Sequence, residues 1–212
     1  MYTEENGDSH EETAISYYTD EGLTAPRLRE KILEKWIEDT ASRYHKRIGE
    51  LCYQFCSDER ILETNQAFLD HDYYTDIITF DNSEGDTISG DIIIAPDTVR
   101  SNAAKYGTHF RDEFRRVIIH GILHLCGIDD KAPGAREIME RHENDALALF
   151  RKSNFKAADQ AFAKFAKTYP ESPYLPTALY WQGGAQYAQG NYNGAVNTLQ
   201  SLIQRFPDSA RK

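Results

Sequence analysis

Val117-Ile118-Ile119-His120-Gly121-Ile122-Leu123-His124-Leu125-Cys126-Gly127 decides how this chain is read. The run is apolar except for two histidines four residues apart, and on a helix that spacing stacks both imidazoles on one face. Gly127 then supplies a left-handed stop to the helix. Asp129 and Asp130 follow at once, so a carboxylate returns towards the histidine face. Two imidazoles and a carboxylate form a zinc-type donor set that leaves a fourth position for water, so His120 and His124, joined by one of these two carboxylates, are the candidate metal ligands and act on a substrate through a coordinated water. Gly121 stands where a metalloprotease of the HExxH kind carries its general base, which argues against peptide hydrolysis. Cys126 points away from the histidine face, and Asp129 reads as a turn former.

Upstream, periodicity predicts a strand over Ile15 to Thr19 and a helix opened by Pro26 that buries Leu28, Ile32, Leu33, Trp36 and Ile37. A strand over Leu51 to Cys56 and a helix capped from Ser57-Asp58-Glu59 come next. Two strands, Asp76 to Phe80 and Asp91 to Ala95, are expected to flank a loop over Asn82 to Gly90, and Pro96-Asp97 begins another helix. Interleaved strands and helices define an α/β class, a small mixed sheet with packed helices. Asp76 and Asp91 are assigned structural roles, bonding backbone amides. His142 and Glu143 are within reach of the metal from the following helix but are expected to be solvent-exposed. His45, His71 and His109 show no ligand spacing.

Beyond Arg136 the pattern is helical, and Ser153-Asn154-Phe155-Lys156-Ala157-Ala158 through Tyr169-Pro170-Glu171-Ser172 recurs as Gly190-Asn191-Tyr192-Asn193-Gly194-Ala195 through Phe206-Pro207-Asp208-Ser209. The two copies resemble tetratricopeptide repeats, and residues 147–212 resemble the C-terminal region of the CpoB/YbgF family, which implies a periplasmic setting. A helix over 136–152 is expected to be shared between the two parts, with Pro170 and Pro207 stopping the second helix of each repeat. The expected organisation is an acidic disordered extension over 1–14, a catalytic domain over 15–147, and an all-α tetratricopeptide-repeat appendage over 147–212. Two repeats are fewer than such arrays usually need, so the appendage is expected to self-associate or to bind a peptide.

With the repeats set aside, Thr75-Asp76-Ile77-Ile78-Thr79-Phe80, Ser89-Gly90-Asp91-Ile92 and the segment from His120 to Asp130 together resemble the YbeY family, over about Ile15 to Leu147. The resemblance implies a zinc-dependent endoribonuclease, one Zn2+ per chain, specific for single-stranded RNA and acting in small-subunit ribosomal RNA maturation and ribosome quality control. The family's third histidine falls on Asp130, which keeps a three-ligand set and shifts preference towards harder ions. Asn65 corresponds to a family asparagine and is the candidate substrate-binding residue. Leu69 replaces the arginine the family places four residues later. Arg115, Arg116, Arg136 and Arg141 could replace that cation, although each is expected to be a solvated helix residue.

Composition sets the remaining bounds. The net charge is −10, with 16 Lys and Arg against 31 Asp and Glu in residues 1–150 and 8 against 3 in residues 151–212. A broad phosphate-binding surface is therefore excluded. Three cysteines, Cys52, Cys56 and Cys126, form no CxxC pair and fit a reducing compartment. No apolar run approaches a membrane span and no signal pattern opens the chain, so a cytoplasmic location is expected. A repeat of periplasmic type behind a nuclease of cytoplasmic type, joined without a linker, reads as an engineered fusion. The competing reading is a non-catalytic scaffold whose repeats do the work, motivated by Leu69 and Asp130.

Overall fold

From Leu51 to Phe55 every second side chain is buried, and from Ile88 to Ile94 the same alternation holds, so two strands each turn one face to a core. The computed structural model describes residues 14–24, 26–69 and 74–207, with nothing said of the side chain of Leu69. All of the expected acidic extension except Ala14 lies outside that range, as does His71. Two compact units divide the chain, residues 1–144 and 145–212.

In the first unit, strands β1 (Ile15–Thr19), β2 (Arg47–Phe55), β3 (Ile77–Asp81) and β4 (Thr87–Ile94) form one sheet in the order β1-β2-β4-β3. β1, β2 and β4 run parallel, whereas β3 pairs antiparallel with β4, with Ile77 opposite Ile94 and Asp81 opposite Gly90. The sheet is mixed, as the interleaved pattern requires. Helices α1 (Glu30–Ser42), α2 (Asp58–Leu69), α3 (Pro96–Tyr106) and α4 (Phe110–Leu125) belong to the same unit. α4 touches α1, α3, β3 and β4 and buries Val117, Ile118, Ile119, Ile122, Leu123 and Leu125, which is why its sequence from Val117 on is apolar almost all round.

Besides β2, which opens at Arg47 rather than Leu51, three boundaries differ from expectation. α1 begins at Glu30 rather than at Pro26, where an acidic first turn meets the positive end of the helix and the buried series Leu33, Trp36, Ile37 starts. The loop between β3 and β4 is shorter than Asn82 to Gly90, because Thr87 to Gly90 join the ladder and only a tight turn through Gly85, at φ +57°, remains. The third is α5, which runs unbroken from Ala135 to Thr168 instead of ending at 152. In the second unit, α6 (Leu175–Ala188) and α7 (Tyr192–Arg205) are separated at Gly190, whose φ is +80°. Ser153 occupies the corresponding place in the earlier copy, and a serine resists the left-handed backbone that a glycine adopts readily, so the helix continues through it.

The second unit is all-α. Leu175, Leu179 and Leu202 form its core with Ala166, Leu199 and Phe206 packed against them, and Asp159 accepts hydrogen bonds from Gln182 and Gln186, both at 3.0 Å. Gly183 lies so close to Leu199 that an added Cβ would stand 2.6 Å from Cγ, which explains a glycine in the middle of α6.

Candidate metal centre

The end of α4 brings the third candidate ligand back. Leu125 is the last helical residue, Gly127 adopts φ +89°, the Gly127 N–H donates to the His124 carbonyl (2.8 Å) and the Ile128 N–H to the Leu123 carbonyl (3.0 Å). These two bonds close a Schellman cap, which reverses the chain so that residues 128–130 pass beside the last turn. The Ile128 carbonyl then accepts from Nδ1 of His124 at 3.0 Å, and Asp130 reaches the two imidazoles. Asp129 accepts from the Lys131 N–H and steadies the turn, as its position implied.

Nε2 of His120 and Nε2 of His124 lie 2.9 Å apart, with the rings nearly perpendicular at 89°. The carboxylate oxygens of Asp130 stand 3.7 Å from Nε2 of His120 and 3.8 Å from Nε2 of His124. Zinc bonds of ~2.0 Å at tetrahedral angles separate ligand atoms by about 3.3 Å, and the three observed separations bracket that value. Among the described residues, these three form a group of donors able to hold a metal ion together.

The far side of each ring fixes which nitrogen faces inward. Nδ1 of His120 is 2.8 Å from Oε1 of Glu143, and Nδ1 of His124 faces a backbone carbonyl. An ionised carboxylate and a carbonyl only accept, so both Nδ1 atoms carry the proton and both Nε2 atoms present lone pairs. Two lone pairs 2.9 Å apart repel unless a cation or a shared proton lies between them. Burial, and next the charge of His120, hold His124 below its usual imidazole range, outweighing the opposing pull of Asp130. The residues present therefore fit a divalent cation better than a proton.

Glu143 corrects the expectation of exposure: it is 8% exposed. Burial alone would raise its carboxyl, but hydrogen bonds from His120 and Arg116, with their charges, together hold it below the ordinary range. Arg116 donates to Oε2 of Glu143 at 2.8 Å and to the side-chain oxygen of Asn144 at 3.1 Å, so it is an anchored residue and not a solvated one. His142 is half-buried and pairs with the Tyr44 hydroxyl at 2.8 Å. The signal missed in the sequence was the spacing of Ala135, Met139 and Glu143, four residues apart on one buried helix face: a carboxylate on such a stripe requires a partner.

The centre opens into a cleft of about 970 Å³. Asn65, only 2% exposed, lines it from α2, and Tyr74, Tyr106, Lys131 and Arg136 lie along its walls. Asp76 also lines the cleft and accepts from the side-chain amide of Asn102 at 3.0 Å, so its role is a side-chain clamp rather than the expected backbone one. Asp91 lies elsewhere, beside the Asn82 amide at 3.3 Å. Arg115 pairs with Asp112, and Arg141 does not line the cleft.

Fold and site together define an α/β domain with a donor cluster able to hold a metal ion, followed by an all-α region. The family described as endoribonuclease YbeY matches residues 17–151, and tetratricopeptide repeats match residues 146–172 and 177–209. Among curated relatives, the endoribonuclease YbeY of Phocaeicola vulgatus is 60% identical over 135 residues, 64% of this chain and 97% of that protein. That of Bacteroides thetaiotaomicron is 57% identical over 136 residues, 64% of this chain and 98% of that protein. The Parabacteroides distasonis protein of the same name is 56% identical over 136 residues, covering 64% and 95%. The chain belongs to the endoribonuclease YbeY family, with a tetratricopeptide-type region behind the family domain. No helix among the described residues is long and apolar enough to cross a membrane.

Proposed function

We propose that the chain is a zinc-dependent endoribonuclease that cuts single-stranded RNA, with His120, His124 and Asp130 holding the ion. One observation carries this reading: two Nε2 atoms converge at 2.9 Å beside a carboxylate, at a cleft of about 970 Å³. A zinc ion held there supplies a water acidic enough to ionise near neutral pH and a Lewis acid for a phosphoryl oxygen. The protein's own groups do the rest. His120 and His124 present fixed nitrogens because their Nδ1 protons are engaged, Asp130 adds negative charge that favours a dication, and Asn65 lines the cleft that would receive the strand. The natural substrate, on the strength of family membership, is precursor RNA of the small ribosomal subunit in the cytoplasm.

The repeat region supports an additional role as a contact surface. α6 contains no charged residue and exposes Tyr180, Trp181 and Tyr187, with Tyr174 exposed at its N-cap.

Metal content measured by mass spectrometry, alongside cleavage of single-stranded and duplex RNA before and after chelation, tests the enzymatic reading. About one zinc per chain is expected, with cutting of single strands lost on chelation and restored by zinc, and with both metal and activity lost in Asp130→Ala and His120→Ala. Undiminished cutting by the chelated protein would refute it.

A further inference from the structure

We infer that Glu143, clamped by Arg116, is the positioning residue of the centre: it locks His120 in the tautomer whose Nε2 faces His124 and Asp130, and so sets how tightly an ion is held. The inference rests on the metal reading above and adds to it a residue two dozen positions away in sequence.

Both carboxylate oxygens of Glu143 are committed. Oε2 takes the Arg116 guanidinium at 2.8 Å, and Oε1 lies 2.8 Å from Nδ1 of His120. An ion pair that merely stapled two helices would use Arg116 alone and leave the second oxygen to water. Instead that oxygen is buried against a ring nitrogen of a ligand. A carboxylate on the outer nitrogen of a metal-bound imidazole orients the ring and raises its basicity. The two histidines are unequal in this respect, since His124 is held by the neutral carbonyl of Ile128 while His120 is held by a charge. Arg116 in turn is steadied by Asn144 and lies 3.9 Å from Glu113, so the chain from Glu113 through Arg116 and Glu143 to His120 runs across α4 and α5 entirely through side chains.

The test compares full-length protein with Glu143→Gln, Glu143→Ala and Arg116→Met. Zinc affinity is measured by competition with a chromophoric chelator, without RNA, and the protonated nitrogen of His120 is read by 15N NMR on metal-free protein at pH 8, where imidazole is ordinarily neutral. Glu143→Ala is expected to weaken zinc binding about 10- to 100-fold and to move His120 towards the Nε2-protonated form. Glu143→Gln, which keeps an acceptor but not the charge, is expected to lose less affinity and to retain the tautomer. Arg116→Met, which leaves the carboxylate without its clamp, is expected to fall between wild type and Glu143→Ala in affinity. Zinc affinities within about twofold of wild type in both Glu143 variants, with an unchanged His120 tautomer, would overturn the inference. Should Glu143→Ala fail to fold, Glu143→Gln and the wild-type tautomer decide: wild-type His120 protonated on Nε2 is the overturning result. A wild-type protein that binds no zinc yet carries the Nδ1 proton would sink the metal reading and leave the Glu143–His120 link standing, so the two failures are distinguishable.

Discussion

Gly121 sits between the two histidines on the face that α4 turns to the sheet, and replacing it sets two effects of opposite sign against each other. A Cβ at this position would lie 3.1 Å from Cδ1 of Ile77, 3.1 Å from Oγ1 of Thr79 and 3.2 Å from Cγ2 of Ile92. Ordinary carbon contacts are roughly 3.5–4.0 Å, so all three neighbours must yield by several tenths of an ångström. The Ile77 methyl ends a flexible side chain and can move. Thr79 and Ile92 are β-branched, stiff at χ1 and seated in paired strands, and Ile92 is fully buried, so the helix itself must lift. Overpacking of this kind costs about 1–3 kcal/mol. Against it stands the helix propensity gained when alanine replaces glycine, about 1 kcal/mol.

Crowding therefore wins, and Gly121→Ala is expected to destabilise the first unit by about 0–2 kcal/mol, with Gly121→Val costing more because it adds two methyls and little propensity. Urea unfolding followed by Trp36 fluorescence measures this, in a Trp181→Phe background; Trp36 is 1% exposed and reports on the first unit. Zinc affinity should fall in parallel, since the displaced segment carries both imidazoles. A Gly121→Ala protein about 1 kcal/mol more stable than its parent would show that propensity acts unopposed and that α4 does not press on the sheet as described.

Burial pushes the Cys126 thiol up to about 11. The fold thus favours the neutral thiol, a contribution present below the unfolded thiol's range and lost as pH rises towards that value; alkylation at pH 8 should run about 200-fold slower in the folded protein than in urea, where a free thiol ionises near ~8.5, and equal rates would refute this. Lys131 and Arg136 form no ion pair among the described residues and face the cleft. With two such cations, the log–log dependence of single-stranded RNA affinity on salt should have a slope of about −1.4, becoming shallower in Arg136→Ala, and a slope steeper than about −3 would reveal a phosphate-binding surface elsewhere.

How much of this was legible in the sequence follows from the range of the interactions involved. The alternation of β2, the apolar girth of α4 and the glycine after it are local patterns, and they gave the layers, the ligand helix and its stop. The start of α1, the length of the β3–β4 turn and the continuity of α5 depended on which of several permitted options the surroundings completed. Ser153 illustrates the point: repeat similarity aligned it with Gly190, yet the aligned turn needed a backbone conformation that only one of the two residues adopts readily. His120 and His124 stood out through their spacing, whereas Asp130 was picked out from Asp129 by the family resemblance, and the structure groups all three. Glu143 did not, because a carboxylate in a helix rich in charge looks solvated until a buried neighbour at each helical turn shows which way it points.

The electrostatics of the cleft connect these pieces to function. Seven carboxylates line it, Asp129, Asp130 and Glu143 among them, against the three cations Arg116, Lys131 and Arg136. Arg116 is already committed to Glu143. A polyanion entering this cleft therefore meets a repulsive field unless a dication sits among the carboxylates, and that dication must be retained without help from a basic surface. Under the proposed function, the same acidity that repels RNA from an empty site would strengthen the hold on an ion, so that occupancy of the centre would govern both binding and chemistry. On that proposal, affinity would be concentrated at the scissile phosphate instead of being spread along the strand, which suits the proposed cutting of flexible single strands.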